Sequence, residues 1–507
     1  MMLSIRKRIP LFPELLLSVA CVLGILLLHA TEARENRFWG DEIITVSLMP
    51  KGWTEIIVNR YWHAHSPLYF LLLKVWLLIV AGPFGLDEPN EFLVRLPSML
   101  ASGLAGGFFA ASAWRAWGVP AGFCFVPLWV LNAQIGTYAI DARPYALLLL
   151  VLSIAVWSGT RLWIGYKKHS EKLGSGTCRV LWLLSAVSPA IAAAVIPVGI
   201  IAVISTEIST LGLCRGVSAS FVRPWKFRAA VSLILLLLVS FIFAPGILEK
   251  STDFWTNKDL PFSFGTVSWV LRTVTLQSED LFPTIASLLL LLMGLAGLFL
   301  QWNNFLGRAS AGLALVFPAF MIITSAATSL LLPRYFLPMI PGIILLAAGL
   351  TCKHLSRTRS LAVGLALGLI SALFLVYIPH NEKSKVLDQQ LELLQQLKVS
   401  QIHGVTTGRH LQGLLSYYIK KQMGFAPELE ALIGRAKPIR LGQANELFWI
   451  FTNKKGDSDW VLGVPLTCHF ALPDSDVYVV GGRSSDLSSC PLPQDSARPG
   501  GRQGRRA

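Results

Sequence analysis

The chain has 507 residues, 53% of them hydrophobic and only 14% charged, with a mean hydropathy of +0.57. A soluble domain of ordinary composition carries about 25% charged residues, so one large soluble enzyme is excluded. Disorder is excluded by the same figures, and so is a disulfide scaffold, since the 7 Cys are spread from Cys21 to Cys490. Lys+Arg 44 against Asp+Glu 29 gives a net charge of +15. In a soluble protein that excess would suggest nucleic acid. Here the placement of the charges points instead to a polytopic membrane protein with no nucleic-acid partner.

A helix needs about 20 apolar residues to cross a bilayer. Segments near that length recur at 10–30, 95–113, 119–137, 144–163, 191–212, 229–246, 281–302, 311–332, 335–352 and 361–379. The shorter run 180–190, with a turn near Ser188-Pro189, brings the expectation to about 11 crossings. The first stretch follows Arg6, Lys7 and Arg8, and no small-residue cleavage site precedes the Arg34–Trp39 region. It reads as an uncleaved signal anchor with a cytoplasmic N-terminus.

Residues 66–82 (SPLYFLLLKVWLLIVAG) are nearly long enough to span, but Lys74 in their middle is costly at the bilayer centre. If this segment does not cross, the inner loops carry Arg115, then Arg161, Lys167, Lys168, Lys172 and Arg179, then Arg215, Arg223, Lys226 and Arg228. Arg308, Lys353, Arg357 and Arg359 follow, with Glu171 as the only acid among them. If it crosses, all of these face outward. The excess of positive charge on inner loops favours the first reading, with 66–82 along the outer interface. Residues 31–94, the 138–143 turn, the 247–280 loop, the turn at Arg334 and everything after Pro379 are then extracytoplasmic. The expected fold is a polytopic α-helical membrane domain over 1–380 with its first outer loop at 31–94. A small extracytoplasmic α/β domain over 381–492 and a disordered 493–507 tail follow. No internal repeat is visible, which weakens a transporter reading.

In the tail, Val386, Leu387, Leu391, Leu394 and Leu397 have helical spacing, and 409–421 also reads as a helix. ELFWIFT (446–452) and DVYVV (476–480) read as strands. Cys468 and Cys490 fall in this outer part, where pairing is open to them, but the sequence does not fix their separation.

The outer loops bring a polar set to one membrane face. It comprises Asp41-Glu42 in FWGDEIITV, His63-Ala64-His65-Ser66-Pro67 opening the interfacial helix, and Arg95 in EFLVRLPS. Tyr138 with Asp141-Ala142-Arg143-Pro144-Tyr145, and Pro333-Arg334-Tyr335-Phe336-Leu337-Pro338, complete it. Singly, each has an ordinary role. Outer carboxylates are solvated, arginines at span ends snorkel to headgroups, and Lys74 anchors to the interface or to lipid phosphate. His63 and His65, at i and i+2, do not share a helix face, so a metal site there would also need Asp41 or Glu42; a divalent metal stays open. Together the set suits one chemistry. Guanidinium groups with a basic His bind a lipid-carrier phosphate, and a carboxylate takes the proton of an acceptor hydroxyl attacking an anomeric carbon. A polyprenyl phosphate leaves readily and needs only charge stabilisation.

These motifs resemble those of the GT-C membrane glycosyltransferases, above all the protein O-mannosyltransferase and lipid A aminoarabinose transferase branch, glycosyltransferase family 39. The resemblance covers about residues 10–380 and rests on the acidic pair after the first span, H-S-P-L, R-L-P-S, Y-A-I-D-A-R-P-Y-A and R-Y-F-L-P. It implies that Asp41, with Glu42 beside it, is the catalytic base, and that Arg143, Arg334, His65, Arg95 and Lys74 bind the donor phosphate. Tyr138, Asp141, Tyr145 and Tyr335 then line the substrate pocket. The chain departs from both branches, having His65-Ser66-Pro67 where one has Lys-Pro, and lacking the large mid-chain luminal domain of the other. The expected function is sugar transfer from a polyprenyl-phosphate donor to a lipid, glycan or protein acceptor outside the cytoplasmic membrane, probing Asp41 and Arg334 in one shared cavity. The alternatives are a transporter or lipid flippase, which needs ionisable residues at mid-bilayer, and an inactive scaffold of the same fold.

Overall fold

The structure, a computed structural model, describes residues 12–62, 66–80, 90–168, 176–211, 226–239, 241, 263–276, 281–328, 332–354, 382–396, 403–406, 409–423, 427–431, 448–451, 466–471 and 476–480. The chain divides into two compact units, Met1–Glu35 with Leu48–Ile378, and Asn36–Ser47 with Pro379–Ala507.

The first unit is a helical bundle. Its frame is α1 (Phe12–Glu35) against α5 (Glu91–Trp117). Glycines let the two backbones touch, since a Cβ on Gly107 would lie 2.4 Å from the Ser18 Cα and one on Gly103 2.6 Å from the Val22 Cα. Small residues at such spacing are the usual means by which membrane helices approach closely. The ends of this pair are tied. At one end the Arg95 guanidinium donates to the Ala33 carbonyl at 3.0 Å. At the other, Glu14 takes Arg115 at 2.6 Å and Arg161 of α8 (Tyr145–Lys168) at 3.4 Å. Arg95 and Arg115 stand about 30 Å apart along the helix, the thickness of a bilayer's hydrocarbon core. Arg115 and Arg161, both assigned to inner loops by charge, therefore lie at one end of the bundle.

The tie between Arg95 and Ala33 also settles the parity of the intervening chain. Because α1 ends where α5 begins, the segment between them crosses an even number of times or not at all. Between them lie α2 (Gly40–Ser47), α3 (Trp53–Trp62) and α4 (Leu68–Val80). The 13 described residues of α4 extend about 20 Å.

Beyond α5, α6 (Val119–Val130) and α7 (Ala133–Ala139) form one apolar path bent by 65° at Leu131-Asn132, where the Asn132 side chain caps α7 by accepting the Ile135 N–H at 3.1 Å. Then follow α8, α9 (Gly176–Val195), α10 (Val198–Leu211), α11 (226–239), α12 (Phe264–Leu276) and α13 (Leu281–Gln301). α14 (Phe305–Ala311), a π-helical turn Gly312–Val316 and α15 (Phe317–Thr328) run on as one path, and α16 (Met339–His354) is the last helix among the unit's described residues. Among the described residues four helices are long and apolar enough to cross a membrane, or five with the bent α6–α7 pair, and α9, α10, α13 and α16 add shorter apolar stretches. The expected span 361–379 lies outside the described residues.

Prolines inside these helices show how the bundle is stitched. Pro97 has no N–H for the Leu93 carbonyl one turn back; the Trp76 indole of α4 donates to that carbonyl instead, at 3.0 Å. Pro189 likewise releases the Ser185 carbonyl, which accepts from Arg228 at 3.3 Å. This corrects one expectation: there is no turn at Ser188-Pro189. The helix runs through to Val195, and the break comes at Ile196-Pro197. Replacing Trp76 by Phe keeps the ring but strands the Leu93 carbonyl. Unfolding in a denaturing-detergent titration should show a loss of about 1–2 kcal/mol. An unchanged midpoint would mean that the carbonyl is satisfied without the indole.

The second unit contains a five-stranded mixed sheet in the order β2-β1-β3-β5-β4. The strands are β1 (His403–Thr406), β2 (Glu428–Ala431), β3 (Phe448–Phe451), β4 (Leu466–Ala471) and β5 (Asp476–Val480). β1 pairs in parallel with β2 and β3, and β5 runs antiparallel between β3 and β4. The crossover from β1 to β2 is α18 (Arg409–Met423), packed against α17 (Glu382–Gln396). Leu387, Leu391 and Leu394 of α17 and Leu415, Tyr418 and Ile419 of α18 are buried. β3 and β5 lie within the expected strands 446–452 and 476–480, whereas β1, β2 and β4 have no counterpart among them. Cys468 stands in β4, and Cys490 lies outside the described residues. α2 joins this unit by packing on α18.

Candidate active site

In the bundle, the residues around Tyr138 come from three turns. Asn132 starts α7 and so directs Tyr138. The next turn is tight, with the Arg143 N–H donating to the Asp141 carbonyl at 2.8 Å, and Pro144 precedes the first residue of α8, where its fixed φ suits a helix start. Asp141 and Arg143 are each only 6% exposed. The third turn is the 3-10 segment Pro333–Phe336, anchored by Phe336, which is fully buried and meets Phe317 edge to face at 6.4 Å. It presents Arg334, whose guanidinium lies 5.6 Å from the centre of the Tyr335 ring.

These turns meet. The Tyr138 and Tyr145 rings meet edge to face, 5.3 Å apart at an interplanar angle of 62°. The fields of Tyr145, Asp141, Arg334 and Tyr335 all reach Tyr138, and those of Tyr335, Arg143, Arg334 and Asp141 reach Tyr145. Six of the eleven residues singled out from the sequence thus form one cluster within the first unit. α12 lies against the Arg334 turn, and its Thr273 carbonyl accepts from Gln134 of α7 at 3.2 Å. The sequence reading leaves this helix inside a loop. It also passes over His29, fully buried in α1 and 3.6 Å from Glu32. His29 fills the space left by Gly136 of α7, where a Cβ would come within 2.4 Å of the imidazole. A histidine in an otherwise apolar span is the signal that could have marked it.

Other singled-out residues have structural partners. Arg95 ties α5 to α1, as described. The Lys74 ammonium donates to the Lys51 carbonyl and lies 5.2 Å over the Trp53 ring, so it fixes α4 to the start of α3. Lys51 also pairs with Glu55 at 2.8 Å, and that hydrogen bond holds the Glu55 carboxyl below its usual range. His63 and His65 lie outside the described residues. Ser66 of the same motif caps α4 by accepting the Leu68 N–H at 3.3 Å and donates to the Ala194 carbonyl in the last turn of α9. Glu207, the one acid of a span that could have served a transporter, pairs with Arg228, which also donates to the Ser185 hydroxyl at 2.9 Å.

In the second unit, the acidic doublet opens α2. Trp39 is the residue before the helix, and its carbonyl accepts the Glu42 and Ile43 N–H groups. The Glu42 carboxylate reaches back to the Trp39 N–H at 3.2 Å, which is the return half of a capping box. Glu42 is fully buried, and Asp41 is 9% exposed. The two acids therefore differ. Glu42 caps its own helix, while Asp41 sits one position earlier, and its backbone carbonyl accepts from the Thr45 hydroxyl at 3.2 Å. Among the described residues no three His, Cys, Asp or Glu side chains gather as a metal site.

Compared with solved structures, the chain is similar to ArnT from Cupriavidus metallidurans in the apo state, with a TM-score of 0.61 at 14% identity over 92% of this chain and 98% of that one. ArnT from the same organism bound to undecaprenyl phosphate gives 0.58 at 14% identity, over 91% and 97%. The chain thus shares the fold of these two ArnT structures. The oligosaccharyltransferase of Archaeoglobus fulgidus, in complex with Zn and sulfate, gives 0.51 at 10% identity, over 94% of this chain and 74% of that one. No family model and no curated protein matches the sequence. Within this fold the tyrosine–arginine cluster lies at the end of the bundle remote from Glu14. Arg161 of α8 reaches Glu14, while Tyr145 begins the same helix about 24 Å away.

Proposed function

We propose that the protein is a glycosyltransferase of the GT-C type, moving one sugar from a polyprenyl-phosphate donor to an acceptor on the extracytoplasmic side of the cytoplasmic membrane. The observation that carries this reading is the convergence of Arg143 and Arg334, from turns far apart in the sequence, on the buried Tyr145, whose ring packs against Tyr138 at 5.3 Å. Two guanidinium groups at a bundle end suit a phosphate monoanion or dianion, which they can grip through parallel N–H donors. Supporting it further is a GT-C-like structure whose relative binds undecaprenyl phosphate.

In this reading Asp41 accepts the proton of the acceptor hydroxyl as its oxygen attacks the anomeric carbon. The bond from that carbon to the phosphate oxygen breaks, and the electron pair leaves with polyprenyl phosphate, whose growing charge Arg143 and Arg334 stabilise. One displacement inverts the anomeric centre. Tyr138, Tyr145 and Tyr335 line the sugar site with Asp141 beside them; His65, Arg95 and Lys74 assist at the carrier. The topology is about eleven crossings with the N-terminus cytoplasmic and the tail unit extracytoplasmic.

The test is to incubate the purified protein with a panel of undecaprenyl-phosphate sugars, with and without membrane extract as acceptor source, and to measure free undecaprenyl phosphate. Release from one donor, raised by the extract, is the expected result. Transbilayer movement of the intact donors with no release from any would overturn the reading in favour of a flippase.

A further inference from the structure

The chain leading into the acidic helix is held by α18 through contacts of several kinds. The Tyr418 hydroxyl accepts the Phe38 backbone N–H at 2.6 Å. The Arg37 guanidinium lies 5.0 Å over the Tyr418 ring, and the Phe38 ring meets Tyr417 edge to face with centroids 6.0 Å apart. Tyr417 and Tyr418 stand perpendicular at 5.0 Å, and the Lys421 ammonium lies 5.8 Å from each ring. Phe38 and Tyr418 are each only 1% exposed, so the hydrogen bond between them is shielded from water.

The grip falls at a telling place. Trp39 is the cap of α2 and Asp41 the second residue of the helix, so the backbone held at Phe38 sets where the helix begins and how Asp41 is aimed. The part that holds it is rigid for its own reasons. α18 is the crossover between β1 and β2, and its inner face of Leu415, Tyr418 and Ile419 is buried against the unit's core. Simple burial of Phe38 would have needed apolar surface alone. A buried hydroxyl aimed at a backbone N–H adds direction to the contact, and direction is what a reacting carboxylate requires, since misplacement by about 1 Å can cost a hundredfold in rate.

We infer that Tyr418 is a positioning residue for the transfer reaction: through its bond to the Phe38 N–H it fixes the helix that carries Asp41, which makes the tail unit a working part of the enzyme. The inference rests on the reading of Asp41 as the base. Tyr418 acts through the backbone of α2 and touches no substrate.

The test uses full-length Tyr418→Phe, which keeps the ring under Arg37 and removes only the hydroxyl. Hydrogen–deuterium exchange is read on peptides covering 36–47 and, as a control, 98–113 of α5. Turnover is read with the undecaprenyl-phosphate sugar that gives release. The expected result is faster exchange in 36–47 alone, with kcat down about tenfold and the donor KM within about twofold, as for loss of an interaction that matters only to the reacting geometry. Unchanged exchange in 36–47 would show that the hydroxyl does not hold this segment, and faster exchange with wild-type kcat would show that the hold has no catalytic consequence; either overturns the inference. Faster exchange in 98–113 as well, with KM rising as kcat falls, would mark general loosening and also overturn it. Asp41→Asn in the same assays separates the premise: it should stop turnover while leaving exchange in 36–47 as in the wild type. If Asp41→Asn turns over normally, the base assignment fails and the positioning role fails with it, whatever the exchange shows.

Discussion

Asp41→Asn is expected to reduce sugar release by at least about a thousandfold, within the range a general base contributes, while leaving membrane insertion and the detergent unfolding midpoint as in the wild type. The substitution is nearly isosteric, and the Asp41 carbonyl, which accepts from Thr45, is untouched. The amide can hydrogen-bond an acceptor hydroxyl but cannot take its proton. The neighbouring acid supplies the internal control. Glu42→Gln keeps a side-chain oxygen that can accept the Trp39 N–H, so α2 retains its cap and activity should fall by less than about tenfold. The sequence pairs the two acids as equals; the capping geometry divides their work. Full activity in Asp41→Asn, or a collapse in Glu42→Gln with Asp41→Asn active, would move the base to another residue.

The elements that could be read from the sequence are those whose physics is local. The apolar lengths of α1, α5 and α8 are visible because lipid demands about 20 apolar residues whatever else the fold does. The leucines of α17 show their 3.6 spacing, and β3 and β5 are rich in aromatic and β-branched residues. The interfacial placement of residues 66–82 is an expectation from loop charge, and the Arg95–Ala33 bond brings the end of α1 beside the start of α5. What could not be read depends on partners distant in the chain. Pro189 looks like a turn because its lost hydrogen bond is visible and Arg228, which occupies the freed carbonyl, is not. Lys74 reads as an interfacial anchor or a partner for lipid phosphate, and its contacts with the Lys51 carbonyl and the Trp53 ring carry no signal in the sequence. β1 (HGVT) and β2 (ELEA) carry too few residues for a period to emerge, and only their parallel pairing makes them strands.

The candidate site divides along the same line. Each short motif was visible because it places a charge or a proline at the end of an apolar run. The grouping of Tyr138, Asp141, Arg143 and Tyr145 could be expected, since they follow one another closely from the end of α7 to the start of α8. Adding Arg334 and Tyr335 required a long-range contact, and the cover given by α12 carried no sequence signal, because an amphipathic helix of 13 residues reads as loop when flanked by polar residues. Nothing in residues 36–47 announces that they pack with α18, whose tyrosines are separated from them by most of the chain.

Arg334→Ala should raise the donor KM roughly ten- to a hundredfold, the loss expected when one charge-assisted hydrogen bond of about 1.5–3 kcal/mol is removed, with the acceptor KM within about twofold of the wild type. Arg334 lies on a 3-10 turn whose fold is secured by Phe336 and by the Tyr335 N–H donating to the Leu332 carbonyl at 3.0 Å, so truncating its side chain leaves that backbone its anchors. Arg334→Lys restores the charge without the planar pair of donors and should recover only part of the affinity, since an ammonium cannot meet two phosphate oxygens in parallel. If the role of Arg334 were only to stack on Tyr335, both variants would act through stability and both KM values would stay near the wild type. If the acceptor KM rises instead while the donor KM stays fixed, Arg334 belongs to the acceptor side and the carrier phosphate must rest on Arg143 and other cations. Saturation curves for each substrate, taken with the other in excess, separate the three outcomes. Because uniform binding lost in this way raises KM with little change in kcat, the same curves also show whether Arg334 senses the carrier before the reaction or only the charge that develops as the sugar departs.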